Sequence, residues 1–138
     1  MAALMDAVET LGRRHTLMVI GLPGDRQDED LLATMRATVT RVDSYILHDL
    51  QDPRERAQGE VPRLISQAVP PHIPYRFAGD QREAISAALV ALKPGDRLIV
   101  IADIVDEAIA ALEAEKKHYA EDGACLLSAA TERAMRIP

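Results

Sequence analysis

Leu17-Met18-Val19-Ile20-Gly21-Leu22-Pro23-Gly24-Asp25-Arg26-Gln27-Asp28-Glu29-Asp30 runs from an unbroken apolar stretch through a turn rich in Pro and Gly into three closely spaced acids. A continuous apolar run, as opposed to an alternating one, is the pattern of a strand buried on both faces, as in parallel sheets. The acids stand ahead of Leu31, Leu32, Met35 and Val39, which share one helical stripe, and negative charge suits the first turn of a helix. Strand, glycine turn and helix in this order predict a βα unit. Its polar turn lies at the carboxyl end of the strand, the edge at which open parallel sheets bind ligands.

The same alternation extends in both directions. Ala2 to Leu11 places Leu4, Val8 and Leu11 on one face, and Gly12 is a helix stop. Thr16 to Gly21 is the first strand, Asp28 is positioned to cap a helix over Glu29 to Val39, and Ser44 to His48 is the second strand. Asp52-Pro53-Arg54-Glu55-Arg56 then makes a charged loop equivalent to the first. A helix over Glu60 to Ala68 tolerates Pro62 in its first turn and ends before Pro70 and Pro71. Ile73 to Phe77 reads as a short strand whose Pro74 suits an edge. Gly79-Asp80 leads a helix with Ile85, Ala88, Leu89 and Leu92 inward, Lys93-Pro94-Gly95-Asp96 turns the chain, and Leu98 to Ala102 is the last strand. Asp106 to Glu113 is helical. The expected organisation is one domain over residues 1–113, of α/β class, a Rossmann-like three-layer sandwich with a mainly parallel sheet flanked by helices. Residues 114–138 are expected to form a helical or extended tail.

A chain of 138 residues, 48% hydrophobic, has the size of one domain with a real core. Its net charge of -6 and its arginines dispersed among acids argue against a nucleic-acid partner, which needs concentrated positive charge. Cys125 is the single cysteine, so no intramolecular disulfide forms, and a cytoplasmic setting is the expectation. The opening Met1-Ala2-Ala3-Leu4-Met5-Asp6 is unlike a signal peptide, and no apolar run approaches the ~20 residues that span a bilayer. His15, His48, His72 and His118 lack metal-ligand spacing, so no metal site is expected, and His48 is expected to be structural or solvated.

Arg54 and Arg56 are candidates for holding carboxylates, because a guanidinium offers a planar pair of donors. A solvated loop is the plainer alternative. Asp49 and Asp52 stand beside them and could receive a cationic substrate such as arginine. Asp80, Arg82 and Glu83 read as the cap and surface of a helix.

Taken together, Pro23-Gly24-Asp25-Arg26 with Asp28-Glu29-Asp30, Arg54-Glu55-Arg56 with Gly59-Glu60-Val61, Asp80-Gln81-Arg82-Glu83-Ala84-Ile85, and Lys93-Pro94-Gly95-Asp96 resemble the C-terminal domain of Mur-type amino-acid ligases. The resemblance is nearest to the cyanophycin synthetase branch and runs to about Glu113. It implies a domain that closes over a separate ATP-binding domain, on the same or another polypeptide, during ATP-dependent amide-bond synthesis. In that chemistry ATP, with Mg2+, phosphorylates a carboxylate, and an incoming amino acid displaces the phosphate through its amine. On this branch the incoming amino acid is arginine.

The family's glycine-rich phosphate loop does not occur in the chain, nor does the strand with an Asp-Tyr-Ala-His-Asn-Pro-like segment that begins its C-terminal domain. The resemblance therefore implies a fragment that lacks its first strand, binds neither ATP nor Mg2+ tightly by itself, and is catalytically incomplete alone. Ala102-Asp103-Ile104-Val105-Asp106 stands where many Mur ligases carry Gly-His-Glu, as on the cyanophycin branch. The resemblance also implies that Asp25 and Arg26 face the ATP-binding domain, Arg26 stabilising phosphate charge and Asp25 fixing its loop. Helix capping is the competing reading for Asp25 and Asp28. The competing function is a non-catalytic Rossmann-like binding module or homodimer, its alanine-rich helices pairing with a second copy.

Overall fold

A computed structural model describes the backbone of residues 1–121 and the side chains of residues 1–115. Five helices alternate with four strands: α1 (Ala2–Glu9), β1 (Thr16–Ile20), α2 (Asp28–Arg36), β2 (Ser44–His48), α3 (Glu60–Ser66), β3 (Tyr75–Ala78), α4 (Gln81–Ala91), β4 (Arg97–Ile101) and α5 (Val105–Glu121). The strands pair in the order β3-β2-β1-β4, every pair parallel. This is the doubly wound α/β sandwich that the alternation predicts.

Side chains alternate across a strand, so the apolar runs feed two cores at once. Met18 lies in register with Tyr45 and Ile99, and this layer packs against Leu4 and Met5 of α1, Leu31 and Met35 of α2 and Ile65 of α3. Val19 lies in register with Ile46 and Val100, and these face Ile85, Ala88 and Leu89 of α4 and Ala108 and Leu112 of α5. The chain therefore needs continuous apolar strands, because neither face of the central pair meets water. No described helix is long and apolar enough to cross a membrane.

Local chemistry sets the boundaries. Gly12, at φ +83°, takes the left-handed conformation just past α1, which glycine adopts at little cost. α2 stops at Arg36, short of Val39, because the Thr38 hydroxyl donates to the Met35 carbonyl at 2.8 Å and also meets the Tyr45 hydroxyl at 2.6 Å. A hydroxyl bonded to the preceding turn competes with continued helix. Burial pushes the Tyr45 phenol up to about 12, against the opposing effect of its Thr38 hydrogen bond. Gln27, not Asp28, is the N-cap of α2, and Asp28 is the first helical residue. Asp80 does cap α4, accepting from the Glu83 amide at 2.8 Å, while Glu83 reaches back to the Gly79 amide. Pro74 lies just before the edge strand β3, whose side chains are mostly exposed. α5 continues past Glu113 to Glu121. Cys125 and the side chain of His118 lie outside the described residues.

Candidate functional site

Because β1 and β2 are parallel neighbours, with Ile20 in register with Leu47, the loops that follow them meet above the same sheet edge. Arg56 ties them together. Its Nε donates to the Gly24 carbonyl at 2.7 Å and its Nη2 to the Arg26 carbonyl at 2.9 Å. The same Nη2 lies 2.7 Å from Asp28 Oδ1, and Nη1 is 3.4 Å from Glu60 Oε1. Only 16% of the Arg56 side chain is exposed. Its hydrogen bond to Asp28 leads the influences that raise its affinity for its proton further. Arg56 is thus engaged inside the rim, whereas its neighbours are not.

The backbone beside it is unusual. Arg54 and Glu55 both take positive φ, +47° and +69°, a conformation that costs a residue with a Cβ roughly 1–2 kcal/mol. Asp52 supports the turn by accepting from the Arg54 amide at 2.9 Å. Asp49 is buried, and its Oδ2 receives the Gly59 amide at 2.7 Å at the start of α3. The turn presents Arg54, whose Nη1 lies 3.2 Å from Asp25 Oδ2 with both side chains about half exposed. Such an exposed pair is worth roughly 0–1 kcal/mol, so Asp25 orients Arg54 without locking it. The Arg26 guanidinium has no hydrogen-bond or ion-pair partner among the described residues. Asp25, Asp49, Asp52, Arg54 and Arg56 therefore lie on the two joined loops, while Arg26, on the first of them, lines an open depression with Met1, Ala2 and Asp30 at the start of α1 and along α2.

Residues 1–104 match the family model described as Mur ligase, glutamate ligase domain. The chain belongs to the Mur ligase family. It is 32% identical over 100 residues to cyanophycin synthetase of Geminocystis herdmanii (strain PCC 6308), covering 70% of this chain and 11% of that protein. Cyanophycin synthetase of Synechocystis sp. (strain ATCC 27184 / PCC 6803 / Kazusa) is 30% identical over 101 residues, 71% of this chain and 12% of the relative. A UDP-N-acetylmuramoyl-L-alanyl-D-glutamate–2,6-diaminopimelate ligase of Chelativorans sp. (strain BNC1) is 32% identical over 97 residues, 70% of this chain and 19% of the relative. The chain spans less than a fifth of the length of each of these relatives. It is a Mur ligase C-terminal-type domain similar to a stretch of the cyanophycin synthetases.

In this Mur ligase domain the sheet order reverses between β1 and β4, the switch point at which doubly wound sheets open a crevice. A cleft of about 300 Å3 lies beyond the carboxyl ends of β2, β3 and β4, lined by Gln51, Asp80, Gln81, Asp103 and Glu107 among others. Gln81 holds it: its Nε2 donates to the Ile104 carbonyl at 3.0 Å and its Oε1 accepts from the Asp103 amide at 2.6 Å. Asp103 in turn accepts from the Gln51 amide at 2.8 Å. Sequence reasoning passed over Gln81. The available signal was a large polar residue at the first helical position after a capping Asp, directly below the loop of the next strand.

His48 closes the inner wall of the rim. It is 0% exposed; a Cβ on Gly21 would stand 2.6 Å from its ring, and its Nδ1 lies 2.8 Å from the Asp49 carbonyl oxygen. A carbonyl only accepts, so Nδ1 carries the proton and the buried Nε2, which has no partner among the described residues, is bare. Burial holds the imidazole below its usual 6.5, outweighing the opposite pull of the Asp49 carbonyl and of Asp103, Asp80 and Asp49. A depressed histidine is neutral in the fold, so its contribution to stability is complete above pH 6.5 and declines as pH falls below it. NMR titration of the His48 ring is expected to give a midpoint below 6.5, with unfolding easier on the acid side. A midpoint at or above 6.5 would contradict this burial account.

Proposed function

We propose that this domain closes over the ATP-binding domain of a cyanophycin synthetase-like acid–amino-acid ligase and turns the β1–β2 rim toward the reacting groups. The supporting observation is the division of labour among three arginines. Arg56 binds the loops into one unit, which leaves Arg26 and Arg54 to meet negative charge from outside. Guanidiniums brought to where negative charge develops lower the barrier to acyl and phosphoryl transfer. The two consecutive left-handed residues, Arg54 and Glu55, fit that role, since strain held by surrounding contacts is characteristic of functional loops. The exposed Asp52 places a carboxylate beside the arginines, and on this reading it receives the cationic end of an amino acid such as arginine, while the buried Asp49 holds the Gly59 amide beneath it. The closing domain occupies residues 1–113.

ATP, when bound, supplies the phosphoryl group that activates the carboxylate. Among the described residues no group of three or more His, Cys, Asp or Glu is placed to hold a metal ion, and the turn after β1 lacks a glycine-rich phosphate loop ending in Lys and Ser or Thr. The residues present do not fit Mg-ATP by themselves, and on this reading both are held by the ATP-binding domain.

The test is amide formation from ATP, Mg2+, a carboxylate acceptor and arginine. The 138-residue chain alone is expected to give no turnover, and turnover is expected to appear when a separately produced ATP-binding domain is added. Amide synthesis by the chain alone would overturn the reading.

A further inference from the structure

The end of the sheet opposite the rim carries a second concentration of charge. A cleft of about 250 Å3 opens where β1 and β4 begin, and its lining includes Arg13, Arg14, Arg41 and Arg97 with Glu9 and Asp43. Four guanidiniums face two carboxylates there, in a chain whose net charge is -6. The four are not equivalent. Arg41 is paired with Glu9 at 2.7 Å and Asp6 at 3.3 Å. Arg97 donates to the carbonyls of Val8, Leu11 and Gly12, closing the end of α1 as a cation there should. Arg14 gives Nη1 to the Gly95 carbonyl at 3.1 Å, and Arg13 has no hydrogen-bond or ion-pair partner among the described residues.

Nearly all the donors of Arg13 and Arg14 are therefore unengaged on an exposed wall, above an Arg97 that the helix end holds in place. Burial, and after it the charge of Arg14, lowers the affinity of Arg97 for its proton. Cations crowded in this way gain from an anion between them. The mouth is open, for a Cβ at Gly12 would meet nothing within 4 Å.

We propose that this cleft is an oxyanion site that takes a small phosphate compound through the guanidiniums of Arg13 and Arg14, with Arg97 fixing its floor. Guanidinium forks match the paired oxygens of a phosphate, and two forks suit a multiply charged group. The volume of about 250 Å3 lies just below the roughly 300–1,000 Å3 of drug-sized ligand sites and has room for an occupant of pyrophosphate size. β1 separates this cleft from the rim by five residues, roughly 16 Å at strand rise, so the site stands apart from the proposed ligase face.

Pyrophosphate titrated into the full 138-residue chain at low salt, followed by amide NMR and calorimetry, tests this. Saturable binding is expected, with shifts confined to Gly12–Thr16 and the start of β4. Replacing Arg13 and Arg14 together by Ala removes charge-assisted hydrogen bonds and is expected to weaken it by about tenfold or more, while Arg54→Ala at the rim leaves it unchanged. Citrate, a carboxylate of comparable charge, is expected to bind more weakly. Absence of saturation, an equal loss in Arg54→Ala, or citrate binding as tightly as pyrophosphate would each overturn the proposal.

Discussion

Gly24→Ala is expected to destabilise the domain by roughly 1–3 kcal/mol, the range for forcing added volume into a packed site, and to cripple a ligase that carries it. A Cβ at Gly24 would land on the carbonyl oxygen of Pro53 and stand 3.2 Å from Cγ of Arg56. The first of these obstacles is backbone, which cannot swing aside as a side chain does, so the β1 and β2 loops must part. Parting them lengthens the 2.7 Å bond from Arg56 to the Gly24 carbonyl and with it the tie that holds the rim. The effect should therefore appear twice, as a lower thermal midpoint by circular dichroism and as a loss of amide synthesis larger than the lost stability explains. A variant with an unchanged melting curve would show that the two loops are not in the contact described.

The architecture was legible because its signals are local. Continuous apolar strands, Gly12 past the first helix, Asp80 before α4 and the Lys93–Asp96 turn each act within a few residues, and the alternation of elements then leaves a parallel sheet as the economical arrangement. The site was legible only in outline. That the loops after β1 and β2 share an edge follows from topology, but the difference between Arg54 and Arg56 does not. The groups that engage Arg56 include two backbone carbonyls in another loop, and a carbonyl leaves no trace in residue identity. Asp28 was read as a cap because its type and position fit one, whereas its carboxylate faces Arg56 across the rim. The amino-end cleft was hidden for a related reason. Arg13, Arg14, Arg41 and Arg97 are dispersed among acids along the chain, and only the common starting edge of the strands gathers them. Long-range convergence of this kind is decided by the sheet order, which composition does not carry.

Removing Arg26 and Arg54 together should have the larger effect on chemistry and the smaller one on stability. Arg26 has no partner among the described residues, and the Arg54–Asp25 pair is exposed enough to contribute roughly 0–1 kcal/mol. Arg26→Ala combined with Arg54→Ala should thus leave the melting curve nearly intact. Deleting a single donor to a developing oxyanion costs about 10²–10³ in turnover, so a ligase with both changes should lose at least about a hundredfold. Arg56→Ala is expected to differ in kind, lowering activity together with the order of the loops, because its contacts lie inside the rim.

The most direct measurement is the rate of ATP-dependent amide formation by a complete ligase bearing this domain, compared between the Arg26→Ala, Arg54→Ala pair at the rim and the Arg13→Ala, Arg14→Ala pair at the opposite end of the sheet. The rim pair is predicted to lose at least about a hundredfold and the distant pair to keep its rate. Equal rates in the two double variants, or a loss confined to the distant pair, would contradict the assignment of the β1–β2 rim as the working face.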